Sequence, residues 1–147
     1  MKKALVTGVT GQDGAYLSKI LLEKGYKVYG TFRRVSTPNF WRLQTLDIHS
    51  KIHLIPADLI DMGSLLEALK LSDPDEVYNL AASSYVGTSF EQAVGNAEIT
   101  GLAVTKLLEA ILHQNTNIKF YQASTSEMYG NNKFKTQNEE TPFSPAS

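Results

Sequence analysis

The sequence predicts an α/β domain built on a doubly wound parallel sheet, on three observations. Short apolar runs alternate with helical patterns along most of the chain. The first run, Ala4-Leu5-Val6, is apolar at consecutive positions, as a strand buried on both faces would be. It ends in glycines that lead directly into the first helical pattern.

The elements follow in order. After the glycines, Leu17, Ile20, Leu21 and Leu22 fall on one helical face, and Lys24-Gly25 stops that helix. Residues 27–32, Lys-Val-Tyr-Gly-Thr-Phe, form the second strand. Pro38-Asn39 marks a loop, with room for a short helix over 41–46. Residues 52–55 form the third strand, and Asp61-Met62-Gly63-Ser64 opens a helix through Leu65, Leu66, Ala68 and Leu69. Residues 76–80 form the fourth strand. A long helix is expected over 97–114, with Leu102, Thr105, Leu108 and Leu112 at helical spacing. Residues 119–123 form the fifth strand, and 131–147 reads as irregular. This series predicts a Rossmann-type sheet with right-handed crossovers.

Length and composition narrow the function. A chain of 147 residues fits one domain with a sizeable core. Its 14 basic and 15 acidic residues leave a net charge of −1, which argues against a broad nucleic-acid surface or a membrane patch. The absence of cysteine excludes disulfide and thiolate chemistry and permits a reducing, cytoplasmic setting. Gly8 and Gly11 interrupt the N-terminal apolar run too soon for a signal peptide or membrane span. His49, His53 and His113 are scattered, with no metal-site spacing.

The glycine turn, Gly8-Val9-Thr10-Gly11-Gln12-Asp13-Gly14, has the spacing G-x-x-G-x-x-G. A pyrophosphate needs backbone N–H groups aimed at it with no side chains in the way, and a helix N-terminus adds positive potential. The bland alternative is a tight turn with packing glycines. The second strand then runs into Phe32-Arg33-Arg34 with no carboxylate. An acidic residue there would select NAD, whereas Arg33 and Arg34 suit the 2′-phosphate of NADP. An exposed basic pair is the alternative.

Two further strand ends converge on the same cleft. Asp58-Leu59 follows the third strand, where a carboxylate can accept from an adenine amino group. Leu80-Ala81-Ala82-Ser83-Ser84 follows the fourth, where small residues let the chain pass close to a nicotinamide ribose. A helix-capping Asp and a small-residue packing segment are the alternatives. After the fifth strand comes Ala123-Ser124-Thr125-Ser126-Glu127-Met128-Tyr129-Gly130. Thr125 can hydrogen-bond a reacting alcohol, and Glu127 can act as general acid or base. The same residues also suit a Ser/Thr-rich turn with a solvated glutamate.

With these residues in view, the chain resembles the extended short-chain dehydrogenase/reductases, and among them the GDP-mannose 4,6-dehydratases. The resemblance runs over nearly all of the 147 residues. Its most specific pieces are residues 4–14, Phe32-Arg33-Arg34, Val77-Tyr78-Asn79-Leu80-Ala81-Ala82 and residues 120–130. Gln12-Asp13 and Thr125-Ser126-Glu127 look like this family in particular, since related sugar epimerases usually lack the glutamate.

The resemblance implies an NADP-dependent reaction on GDP-mannose. A hydride leaves C4, water is lost across C5 and C6, and the hydride returns to C6, giving GDP-4-keto-6-deoxymannose. Thr125 would hydrogen-bond the C4 oxygen. Glu127 would move the C5 proton and assist loss of the C6 hydroxyl. The family further implies a homo-oligomer, dimer or tetramer, when full length, and a loop at 39–42 that reaches a neighbouring subunit's cofactor site.

The family also carries a Tyr-x-x-x-Lys pair, which by alignment lies just past Ser147. Residues 1–147 are therefore expected to be an NADP-binding Rossmann domain, truncated before its last strands, with the substrate domain absent. Tyr129 sits too near Glu127 to replace that tyrosine. A second departure lies at Gln92-Ala93-Val94-Gly95-Asn96, where the family's cofactor-contacting aromatic has no counterpart that can be aligned. Another nucleotide-sugar epimerase or dehydratase, and a dinucleotide-binding module without chemistry, are the competing readings.

Overall fold

The structure, a computed structural model, describes residues 1–131, 133 and 136–146. Five strands form one sheet: β1 (Lys3–Thr7), β2 (Lys27–Phe32), β3 (His53–Pro56), β4 (Glu76–Asn79) and β5 (Lys119–Gln122). All pairings are parallel and the order is β3-β2-β1-β4-β5. The expected strands are present, with ends displaced by a residue at most. Because the order reverses between β1 and β4, a crevice opens there above the carboxyl ends of the strands.

Helices cover both faces. On one side lie α1 (Gln12–Glu23) and α2 (Trp41–Thr45), packed on Ala4, Val6 and Val28. On the other lie α3 (Met62–Ser72) and α5 (Ala103–Gln114), packed on Leu5, Tyr29 and Val77. Leu5 faces one layer while its neighbours Ala4 and Val6 face the other, which is why β1 must be apolar throughout. Asp61 caps α3 by accepting from the Ser64 amide at 3.0 Å, and this holds the Asp61 carboxyl below its ordinary range.

Two helix faces differ from expectation. In α5 the buried residues are Ala103, Leu107, Ala110 and Ile111, while Leu102 and Leu112 are 52% and 58% exposed. In α1 they are Gly14, Ala15, Ser18 and Leu21; Leu17 and Leu22 only flank the core, and Ile20 is exposed. Each helix turns to its neighbours the stripe that carries small residues: Gly14, Ala15 and Ser18 bring α1 close to β1 and β2, and Ala103 and Ala110 lie in the buried stripe of α5, which packs closely on α3. The Ser18 hydroxyl meanwhile satisfies itself on the Gly14 carbonyl at 2.7 Å.

The helical run into α5 starts earlier than expected, with α4 (Ala93–Asn96), and passes through a π-helical stretch, Ala97–Leu102. There the Thr100 hydroxyl donates to Asn96 Oδ1 at 3.1 Å and accepts from the Ser83 amide at 3.2 Å. The tail carries no helix or strand among its described residues; Asn132, Phe134, Lys135 and Ser147 lie outside them.

Candidate functional site

β1 ends at Thr7, and the chain turns at once through Gly8, whose φ is +66°. That left-handed conformation costs little only without a Cβ. A Cβ at Gly8 would also stand 2.9 Å from Ala81 Cα, so the glycine turn and the segment after β4 touch backbone to backbone. The turn closes on itself through the Gly11 amide, which donates to the Gly8 carbonyl at 2.9 Å. A Cβ on Gly14 would run into that same carbonyl oxygen. Helix α1 can therefore start directly against the turn, and no side chain caps it. Its first amides remain available to an anion.

Above the strand ends lies a cavity of about 670 Å³. Gly8, Thr10, Gly11, Gln12, Asp13 and Gly14 form one wall. Arg33 comes from the end of β2, and Asp58 and Leu59 from the end of β3. Leu80, Ala81, Ala82, Ser83 and Ser84 supply the wall after β4. Four separate stretches of sequence are thus brought to one cleft by the strand order. Asp58 does not cap α3, since Asp61 does; its Oδ1 accepts from the Ile60 amide at 3.2 Å within the loop. Arg34 is exposed beside Arg33 but does not line the cavity.

Beyond β5 the backbone bends through Ser124, a second left-handed residue with φ +60°. A non-glycine residue in this region is uncommon and points to a constrained turn. Ala123 and Ser124 line the cavity, and the chain then enters a one-turn helix at Ser126–Met128. Thr125 is exposed, and its hydroxyl accepts from the Glu127 amide at 3.2 Å, which leaves its own proton to donate. Glu127 is half-buried and lines an adjoining cleft of about 380 Å³ with Val86, Phe90 and Ser126. Thr125 and Glu127 therefore stand beside the larger cavity rather than in its lining. Tyr129 packs edge-on against Phe143, with ring centroids 5.5 Å apart.

Beneath the cavity the strand ends are tied by buried polar groups. The Leu80 and Ala81 amides each donate to Thr7 Oγ1 at 3.1 Å. The Thr7 hydroxyl donates to Asn79 Oδ1 at 2.5 Å, and Asn79 Nδ2 donates to Gln122 Oε1 at 2.7 Å. Sequence reading missed these residues because they are the last residues of separate strands and find one another only across the sheet. It also missed Thr31, Phe32, Ala57 and Ile99 in the lining, and Arg42, which donates to the Thr10 carbonyl at 3.2 Å from outside the turn. Gly30 was a readable signal: a glycine in mid-strand marks a close approach, here to the Val9 side chain.

Strongly perturbed ionisable groups lie at the other end of the sheet. Glu76 accepts from the Tyr78 hydroxyl at 2.7 Å and from Lys2 Nζ at 3.0 Å, and these bonds hold its carboxyl below the ordinary range. Burial, together with Glu76, pushes the Tyr78 phenol up to about 12. This cluster anchors the N-terminal ends of the strands and is separate from the cleft. Among the described residues, no group of three or more His, Cys, Asp or Glu could hold a metal ion, and no helix is long and apolar enough to cross a membrane.

Comparison with known proteins agrees with this geometry. The family model for GDP-mannose 4,6 dehydratase matches residues 5–147. A GDP-mannose 4,6 dehydratase of Drosophila melanogaster is 44% identical over 99% of this chain and 39% of its own length. One from Vibrio cholerae is 47% identical over 99% of this chain and 41% of its own. The chain thus spans 39% and 41% of these two relatives. Among solved structures, the UDP-Glc/GlcNAc 4-epimerase of Campylobacter jejuni superposes with a TM-score of 0.86 at 20% identity, over 99% of this chain and 44% of that one. The UDP-glucose 4-epimerase of Brucella ovis, solved in complex with NAD, gives 0.85 at 23%, over 99% and 42%. Likeness at that level establishes the fold, whereas the family model runs through every wall of the cleft, and the chain belongs to the GDP-mannose 4,6-dehydratase family.

Proposed function

We propose that residues 1–147 form the NADP-binding Rossmann portion of a GDP-mannose 4,6-dehydratase, whose sugar-nucleotide domain lies in further chain. The observation that carries this reading is the cavity itself. A glycine turn, an uncapped helix start, Arg33 and a carboxylate-free end to β2 meet around one cavity. The backbone amides of Gly11 to Gly14 suit a pyrophosphate, and Arg33, with Arg34 beside it, suits a 2′-phosphate. Asp58 and Leu59 would take the adenine, and Leu80 to Ser84 the nicotinamide half.

When bound, NADP⁺ would supply hydride acceptance at C4 and hydride return at C6, held by the backbone amides of Gly11 to Gly14 and by Arg33. The residues of this chain then have distinct tasks. Thr125 donates a hydrogen bond to the C4 oxygen and polarises the ketone once it has formed, while the C4 hydroxyl proton passes to the tyrosine of the family's Tyr-x-x-x-Lys pair, outside residues 1–147. The ketone acidifies the C5–H, and Glu127 removes that proton as general base. The same carboxyl then gives the proton to the departing C6 hydroxyl, so that one water leaves, and the proton taken from the C4 hydroxyl returns to C5 as hydride adds at C6, so no net proton is consumed. The product is GDP-4-keto-6-deoxymannose. A soluble cytoplasmic homo-oligomer, without a nucleic-acid or membrane partner, is the setting that fits this chemistry.

Titration of the purified chain with NADP⁺ and NAD⁺ tests the reading. Tighter binding of NADP⁺ is expected, and Arg33→Ala should cost about tenfold in NADP⁺ affinity while changing NAD⁺ little. Equal affinity for the two dinucleotides in the unmodified chain would refute NADP as the cofactor. Residues 1–147 alone are expected to bind cofactor without turning over GDP-mannose, because the matching Tyr-x-x-x-Lys pair is not among them; formation of a 6-deoxy-4-keto product by this chain would overturn that.

A further inference from the structure

The buried polar groups beneath the cleft have a directionality that assigns them a task. Thr7 Oγ1 accepts two backbone N–H groups, from Leu80 and Ala81, so its single proton must be given away. Asn79 Oδ1 takes that proton, which turns the amide nitrogen of Asn79 toward Gln122 Oε1. Each step fixes the next. Thr7 and Asn79 are fully buried and Gln122 is half-buried, so water cannot readily replace a lost partner.

The relay joins the ends of three strands at the residues where each leaves the sheet. Thr7 precedes Gly8, Asn79 precedes the 80–84 wall, and Gln122 precedes Ala123 and the left-handed Ser124. The Ala123 amide also donates to the Asn79 carbonyl at 3.2 Å, so Asn79 holds the β5 exit through both side chain and backbone.

We infer that the Thr7–Asn79–Gln122 relay is a positioning device that sets the turn carrying Thr125 and Glu127 at a fixed height over the nicotinamide half of the cleft. The inference rests on the cofactor reading above. Gln122 is its most informative member, because it lies at the β5 end of the relay and, unlike the glycine turn and Arg33, does not line the cavity. Removing its acceptor disturbs one half of the cofactor site and leaves the other half alone.

The experiment compares Gln122→Met, which keeps the length and loses the acceptor, with Gln122→Glu, which keeps an acceptor for Asn79 Nδ2. Affinity is measured for NADP⁺ and for adenosine 2′,5′-bisphosphate, which lacks the nicotinamide half. Amide hydrogen exchange at Ala123 and Glu127 is followed in the ligand-free chain. Gln122→Met should weaken NADP⁺ by about tenfold, leave the bisphosphate within about twofold, and speed exchange at both amides. Gln122→Glu should restore all three. Equal losses for the two ligands, unchanged exchange in Gln122→Met, or no recovery in Gln122→Glu would each overturn the relay's role. A wild-type chain that binds no NADP⁺ would instead overturn the cofactor reading, and the exchange data would still decide whether Gln122 holds the turn.

Discussion

Gly8 and Gly25 offer a matched pair for measuring the contact that closes the cleft floor. Both have left-handed backbones, with φ of +66° and +80°. A Cβ at Gly25 would have nothing within 4 Å, whereas at Gly8 it would press on the Ala81 backbone at 2.9 Å. Replacing either by Ala imposes a left-handed strain of about 1–2 kcal/mol on the folded state. A loss of about 0.4–1 kcal/mol of unfolded-chain entropy offsets part of this in both variants. Only Gly8→Ala adds the overpacking term, about 1–3 kcal/mol, because the opposing atoms are backbone and cannot rotate aside. Gly8→Ala should therefore be less stable than Gly25→Ala by about 1–3 kcal/mol, read from urea unfolding midpoints with unchanged slopes. It should also lose NADP⁺ binding, while Gly25→Ala retains it. Equal destabilisation of the two variants would mean that the Gly8–Ala81 contact is relieved by easy movement, and the rigid-floor reasoning would fail.

Acid should weaken the fold in part through Glu76. Its carboxyl titrates below the ordinary value of 4.5 when folded, so the stability it contributes is complete above that value and disappears as pH falls through the lower folded pKa. Thermal melts from pH 6 downward should show a shallower decline in Glu76→Gln. Tyr78 works in the opposite direction: its phenol is held protonated up to about 12, so the contribution is present below 10 and is lost as pH rises toward 12. Tyr78→Phe should flatten that alkaline limb. Removing the α3 cap with Asp61→Ala should lower the urea unfolding midpoint at neutral pH and leave cofactor affinity unchanged.

Much of the fold could be read from the chain because strands buried on both faces announce themselves as apolar runs, and glycines punctuate them. The walls of the cleft were readable for a related reason: doubly wound sheets place ligand contacts immediately after strands, and Gly8, Arg33, Asp58 and Leu80 all stand there. Helix faces were harder. In the run through α5 the periodicity of Leu102, which closes the π-helical stretch, with Leu108 and Leu112 competes with that of Ala103, Leu107 and Ala110. Size alone favours the first stripe, and close packing on α3 selects the second. The polar relay was hidden for another reason, since Asn79 and Gln122 look like strand residues and acquire partners only when β1, β4 and β5 are side by side. Likewise, Arg42 reaches Thr10 across 32 positions of sequence, a contact that no local pattern encodes.

The central place of β1 has a consequence for how the chain is made. Its partner on one side, β2, follows after a single helix, so the β1–β2–β3 half can close early through contacts of modest sequence separation. Its partner on the other side arrives much later, since Thr7 and Asn79 are 72 residues apart. During synthesis from the N-terminus, β1 therefore waits with one edge unpaired and Leu5 uncovered until α3 and β4 emerge. That interval is when a nascent chain is most open to mispairing with another copy. Pulse-labelled amides of β1 should accordingly gain their full protection only with the arrival of β4, and slowing elongation before residue 76 should lengthen the vulnerable period.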